Sequence, residues 1–322
     1  MSHGKKTFLE LEVEHILAKY GNKKLEALKD SIDFTRIEKQ LRLKLLGSRG
    51  RPPYEALKMF KILLLQAWYN LSDEGAEESI ADRLSFRSFC GFGIHDKTPD
   101  AITIGRFRNS LRGKSDKIFD SVTKQLDQKG LIVKRGTLVD ASIIQSAVKP
   151  PSSGEQVSET DPDAGWAKKN NTYTHGYKAH VGSDEGSDLI RKATMTPGNI
   201  HDSLAFYESV SGDEASVYAD KAYDSDAFRE ELKKHTITPH LMHRLRESDP
   251  LKEIKKDMNK AISKTRSQVE KIFGTFKRTY GFRRARYIGL EKNQVWLHVL
   301  AIAYNLKKVL TLTKSPPNLA IS

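Results

Sequence analysis

The sequence holds a single cysteine, Cys90, in 322 residues, so no disulfide can form within the chain and a reducing compartment is expected. Cys90 stands in RSFCGF among apolar neighbours, as a buried small hydrophobe does. No basic stretch followed by an apolar one opens the chain, so no secretion signal is expected. The longest apolar runs, Ile62–Tyr69 and Val295–Leu306, are too short or too interrupted to span a bilayer. No His or Cys spacing matches a zinc site. Acid is scarce near the end: after position 250 there are four Asp and Glu against sixteen Lys and Arg.

The net charge of +13 is therefore segregated. Residues 1–130 carry 24 basic and 18 acidic side chains, 131–250 carry 14 and 19, and 251–322 carry 16 and 4. An acidic middle between basic flanks is expected of an enzyme that holds metal with carboxylates and phosphate with cations. The length allows two domains.

Residues 7–46 have a helical apolar pattern, broken by GSRGRPP at 47–53, where Pro52 and Pro53 suit a helix entry. Tyr54–Asn70 is a strongly apolar helix. Two shorter ones, Glu77–Phe89 and Asp100–Leu111, resemble a helix-turn-helix. In the second, Ile102, Phe107 and Leu111 would face inward. Thr103, Arg106, Asn109, Ser110 and Arg112 would then reach phosphates and base edges. A plain helical bundle with a solvated basic face fits that pair nearly as well. Ser115–Gly130 closes an all-α region spanning 1–130.

From 131 the apolar period becomes two. Gly136–Ile144 predicts a strand with Asp140 embedded in an apolar run, a costly place for a carboxylate unless it is paired or bound to metal. Residues 145–173, rich in Pro, Ser, Gly and acid, predict a mobile loop. Gly176–Gly182 and Asp188–Thr196 predict a hairpin. A helix from about Asn199 to Val210 follows, then a strand, Ala215–Ala219, ending at Asp220. Asp224–His235 predicts a helix, Ile237–Leu241 a strand, 254–280 a long helix and Glu291–Leu312 an apolar one. The strand with Asp, hairpin, strand with Asp and long helix with Glu follow in the order of a ribonuclease-H-like mixed α/β sheet with flanking helices. The catalytic region would span 131–313, with a tail at 314–322.

On the helix 254–280, Met258, Ile262, Val269, Ile272, Phe276 and Tyr280 form one stripe. Arg266, Glu270 and Lys277 share a neighbouring face. A solvated Arg266–Glu270 pair is the plain account of those residues. The alternative is a third carboxylate beside Asp140 and Asp220. Two Mg²⁺ ions about 4 Å apart, held by such groups, can carry phosphoryl transfer at a DNA backbone. Asp140 would bridge the ions while Asp220 and Glu270 each complete one. For Asp220, a plain capping role weighs equally when it is taken alone.

The spacing Arg266-x3-Glu270-x6-Lys277, with VDAS around Asp140 and ADKAYDS around Asp220, resembles the blocks of bacterial insertion-sequence DDE transposases. The two Asp blocks resemble those of the InsH-type, IS-five group. GYKAH, TPGNIHD and the stretch Tyr54–Arg112 resemble it too. The family signature usually has Tyr three residues before the Arg, where this chain has Ser263. The resemblance implies a transposase that binds terminal inverted repeats, cleaves the ends and joins the freed 3′-OH to target DNA. It also implies an Asp140, Asp220, Glu270 metal triad using Mg²⁺, with Mn²⁺ able to substitute, and Arg266 and Lys277 on DNA. A homodimer on double-stranded DNA, in a bacterial cytoplasm and away from membrane, goes with it.

Further candidate DNA contacts are Lys221, Lys178, Trp166 as a stacking platform, and Arg283, Arg284 and Arg286 in the basic GFRRAR segment. Lys221 and Trp166 have equally ordinary readings, as a surface lysine and a loop anchor, and His201 is read as structural. Two other functions stay open: a ribonuclease-H-like nuclease that does not join strands, and a basic helix-turn-helix regulator with structural carboxylates.

Overall fold

The computed structural model describes residues 8–41, 52–152, 157–169 and 171–313. Most of the basic 47–53 segment and the tail 314–322 lie outside them. The helical region opens with α1 (Phe8–Tyr20), α2 (Lys23–Lys29) and α3 (Thr35–Leu41). It continues with α4 (Ala56–Tyr69), α5 (Asp73–Asp82), α6 (Leu84–Cys90), α7 (Ala101–Ser110) and α8 (Ser115–Gln128). The caps explain several boundaries: Asn22, Ser72 and Asp100 each accept backbone N–H groups of the turn they open. The single helix expected over 77–89 is split, because Arg83 takes an extended conformation between α5 and α6.

α7 buries Phe107 and Leu111 as expected, but Ile102 turns outward and Ile104 and Arg108 complete the inward stripe. Its buried residues are Ile104, Phe107 and Arg108, with Leu111 just beyond, while Ile102 is 66% exposed. The spacing i, i+3, i+4, i+7 is an ordinary inward stripe. It is hidden in the sequence because one member is an arginine. Arg108 enters the core by pairing with Asp73 through both oxygens, Nη1 to Oδ1 at 2.6 Å and Nη2 to Oδ2 at 2.9 Å.

The sheet is built around β1 (Thr137–Gln145). β1 runs antiparallel to β3 (Thr172–Asp184), which pairs antiparallel with β4 (Ile190–Pro197). On its other side β1 is parallel to β5 (Ser216–Ala219), and β5 is parallel to β6 (Thr238–Leu241). The order β4-β3-β1-β5-β6 is the expected ribonuclease-H-like arrangement. β1 is central because its side chains are apolar on both faces: Leu138, Val139 and Ile144 are all fully buried.

Two stretches differ from the reading above. Residues 145–173 contain strand β2 (Gly165–Lys169), which extends the outer end of β3. Asp161 anchors the segment before it by accepting from Ser146 Oγ at 2.7 Å, from the Tyr177 hydroxyl and from Gly289 N. Residues 199–210 form two 3-10 turns, Asp202–Ala205 and Tyr207–Ser209, not one helix. Here tertiary contacts override propensity, as Asp202 is drawn to Lys178 at 2.8 Å.

Then come α9 (Asp226–Lys234), α10 (Lys252–Arg278) and α11 (Leu290–Leu312). Ile262, Val269, Ile272 and Phe276 of α10 are buried as expected, whereas Met258 is 48% exposed on the helix's N-terminal half. α11 is long and apolar enough to cross a membrane by length and composition, yet 72% of that stretch is buried inside the protein. It packs against both α4 and β4, with Trp68 Nε1 donating to Ala303 O at 2.8 Å. One apolar cluster therefore runs through helices and sheet from Leu25 to Leu312, and a smaller one around Val139 and Phe206 lies on the other face of the sheet.

The corner between α4 and α5 docks onto the segment between α10 and α11. Arg108 lies 4.0 Å over the Tyr287 ring, and Arg286 donates to Leu71 O at 2.7 Å. Gly281 turns the chain at φ +68, where a Cβ would fall 2.4 Å from Asn70 Oδ1. Breaking a buried ion pair on one side leaves an uncompensated charge. Asp73→Ala is therefore expected to cost about 3 kcal/mol or more in urea unfolding. An unchanged unfolding midpoint would mean that water already screens Arg108.

Candidate active site

Asp140 is the fourth residue of β1, on the face that also carries Leu138 and Ile144. β1 and β5 pair in parallel with Thr137 beside Val217 and Leu138 beside Tyr218. Continuing that register by two residues sets Asp220, just past the end of β5, beside Asp140. Asp220 Oδ1 accepts from Ala222 N at 2.8 Å, capping the 3-10 turn Lys221–Tyr223. The capping and site readings of Asp220 are thus compatible.

α10 crosses this end of the sheet and delivers Arg266, whose Nη2 donates to Asp140 Oδ1 at 3.0 Å. Both side chains are largely buried, 10% and 19% exposed. Burial pushes the Asp140 carboxyl up to about 6; Arg266 opposes that rise and the neighbouring Asp220 adds to it. The arrangement is a carboxylate pair with one cationic partner.

Glu270 does not join the pair in this structure. It is exposed on α10, one turn beyond Arg266. Among the described residues, no three His, Cys, Asp or Glu groups lie close enough to hold a metal ion. Of the expected triad, then, Asp140 and Asp220 are together and Glu270 stands apart. Arg266 supplies the compensating charge on Asp140. The pair is still a hard-oxygen donor set of the kind that suits Mg²⁺ or Mn²⁺. Ser263, where the family usually has Tyr, is exposed on the same helix.

The expected DNA contacts divide sharply. Lys277 is half-buried near Asp140; burial, then the charges of Lys169 and Arg283, lower its pKa, and Asp140 opposes them. Lys169, Lys277 and Arg283 thus form a cationic group beside the carboxylate pair. Lys169 was missed in the sequence because it lies in the stretch read as loop. The alternation in GWAKK and TYTHGYK on either side of an Asn pair is the hairpin signal that would have found it. Lys221, Arg106 and Arg112 are exposed, with Arg112 Nε donating to Asn109 O.

Other candidates are committed within the protein. Arg284 donates to Ser146 O at 2.9 Å and Ala147 O at 2.7 Å, and Arg286 to Leu71 O and Asn70 Oδ1. Lys178 donates to Ile200 O at 2.7 Å and pairs with Asp202. Trp166 packs edge-on against His175 with ring centres 5.3 Å apart, anchoring β2 to β3. His201 accepts from Ser203 N as the cap of its turn, a structural role as expected. Cys90 is buried, and burial raises its thiol to about 12, which makes it inert at neutral pH.

The folded Asp140 value of about 6 lies above its ordinary 3.8. The native state then binds this proton more tightly than the unfolded chain, so the contribution is whole below about pH 4 and lost as pH rises through about 6. In buffer without divalent ions, wild type should lose on the order of 3 kcal/mol more than Asp140→Asn across that window in urea unfolding. Parallel profiles for the two proteins would show that Asp140 titrates as an exposed carboxylate.

Among solved structures the likeness is distant. A piggyBac transposase synaptic complex with hairpin DNA is 10% identical over 91% of this chain and 82% of that one, at a TM-score of 0.39. A pre-cleavage Mos1 transpososome is 11% identical over 97% and 81%, at 0.18. Scores that low carry no argument about the site. The family profiles do. One described as "Transposase DDE domain" matches residues 132–306, and one described as a transposase domain matches 14–110. The first covers the strand with Asp140, the turn with Asp220 and the helix with Arg266 and Glu270. The chain belongs to the DDE transposase family and is a DNA transposase.

Proposed function

We propose that this transposase cleaves the terminal inverted repeats of an insertion sequence of the InsH-type, IS-five group and joins the freed 3′-OH to target DNA. The observation that carries the chemistry is the Asp140–Asp220 pair, with Arg266 as its resident counter-charge. Asp140 and Asp220 would hold Mg²⁺, with Mn²⁺ as a substitute, and Glu270 would complete the set by a movement of its exposed side chain or of α10. Bound there, divalent ions activate the attacking oxygen and neutralise charge developing on the scissile phosphate.

The chain's own residues set the geometry. Lys169, Lys277 and Arg283 lie beside the carboxylates and hold the DNA backbone against them. Among the described residues, the charged ends of these three side chains have no protein hydrogen-bond partner, which leaves them free for phosphate. Arg266, the counter-charge on Asp140, would lie within reach of the same phosphate. Paired cleavage needs two ends held together, so we infer a homodimer on the DNA, acting in a bacterial cytoplasm.

Asp140→Asn, Asp220→Asn and Glu270→Gln are expected to abolish Mg²⁺-dependent end cleavage while leaving gel-shift binding of the ends intact. Full cleavage by Glu270→Gln would return that residue to a solvated ion pair. A pre-cut end offered with target DNA separates transposition from simple nuclease action, since the nuclease reading forbids joined product. Lys169→Ala and Lys277→Ala should each weaken end binding at every sequence and lower the salt slope by about one. Unchanged slopes would remove both from the DNA surface.

A further inference from the structure

Seven of the 13 residues of α1 are Phe, Tyr, Leu, Ile or Val, yet none is buried. On its inner side Val13 and Leu17 face α6 across a cleft of about 260 Å³ that Leu84, Phe92 and Ile94 also line. Beside that side Leu9, Ile16 and Tyr20, spaced i, i+7, i+11 and so on one stripe, are exposed. A helix this short is marginal in water by itself, so its apolar surface calls for a partner.

The start of α10 carries a second such stripe. Leu251, at the N-cap, Ile254 and Met258 are spaced i, i+3, i+7 and are about half exposed. They lie one residue round the helix from Asn259, Ile262 and Arg266, which are buried in the protein. Charge distinguishes the two helices. Residues 8–20 hold three Glu and one Lys, whereas residues 244–264 hold seven Lys and Arg against four Asp and Glu. Pairing either helix with its own copy would bring like charges together, while pairing α1 with α10 sets an acidic apolar helix on a basic apolar one. A DNA backbone would suit the lysines but leave the apolar stripe uncovered. Within one chain α1 lies by α6, so the helix available to that stripe is the one of a second copy.

We propose that α1 of one copy docks on the 251–258 stripe of a second copy, and reciprocally, and that this exchange is the interface of the homodimer inferred above. Leu9, Ile16 and Tyr20 cover Leu251, Ile254 and Met258. A two-fold pair makes the contact twice, as a self-complementary interface does, which brings its area towards the roughly 1,200 Å² of a stable interface. The inference rests on the homodimer reading, which the test checks separately.

Sedimentation of the full chain with a pre-cut end duplex measures the dimer. Ile16→Asp and Ile254→Asp, both at exposed positions, are each expected to raise the dimer Kd at least about tenfold and to leave thermal unfolding of the dilute protein unchanged. A dimer of wild-type strength in both variants would overturn this interface and keep the homodimer, whereas a monomeric wild type on the duplex would overturn both. Cross-linking then identifies the contact. Cys90 is buried, so Ile16→Cys and Met258→Cys, carried by separate chains with tags of different length, supply the reactive thiols. A bis-maleimide is expected to join the two chains when they are mixed and to join neither variant to itself. Product from Ile16→Cys alone would mean α1 on α1, and product from Met258→Cys alone would mean α10 on α10. Absence of mixed product would place the dimer contact on another surface. Each of these three results overturns the proposal.

Discussion

A carboxylate set inside an apolar strand has to be neutralised, and the Arg266–Asp140 ion pair does this where β1 meets α10. Much follows from that contact. It sets the rotation of α10 about its axis, so that Val269, Ile272 and Phe276 enter the core while Lys277 stays near Asp140 and Glu270 is exposed. The adjacent Asp220 makes the charge problem worse, and Arg266 only partly offsets the burial of Asp140. A divalent cation there would supply further positive charge to the two aspartates.

The same economy of charge governs how the helical region sits on the sheet. Arg108 and Arg286, two arginines in segments that suggest nucleic-acid contact, are instead spent on Asp73, Leu71 O and the rings of Tyr287 and Trp296. Arg284 ties the α10–α11 segment to the end of β1. These guanidinium groups satisfy carbonyls and a carboxylate that meet where the two regions join, which a planar five-donor head does better than lysine. Lys277, beside the carboxylate pair, and the exposed Lys221 and Arg106 are not committed in this way. Net charge thus located the partner class but not the contact surface.

Several features were legible because they depend on local pattern. The switch of period at 131, Asp140 in its apolar run, Asp220 at a strand end and the stripe of α10 all come from spacing alone, and strand order followed from element order. Other features were not legible because they depend on a remote partner. Arg108 could be buried only because Asp73, 35 positions earlier, faces it. Residues 145–173 have a loop's composition, yet β2 forms there because β3 extends far enough to pair with it. Residues 199–210 have helical residues but are held in 3-10 turns by the Lys178–Asp202 pair.

By itself, then, the sequence determined the fold class, the order of the main elements and the two aspartates, one inside a strand and one at a strand end, because a period-two pattern and a buried charge constrain the chain locally. Only the tertiary structure decided which arginines are committed within the protein and that Glu270 stands apart from the aspartates. Those outcomes depend on which distant side chains come within a few ångströms of one another, and spacing along the chain does not encode that.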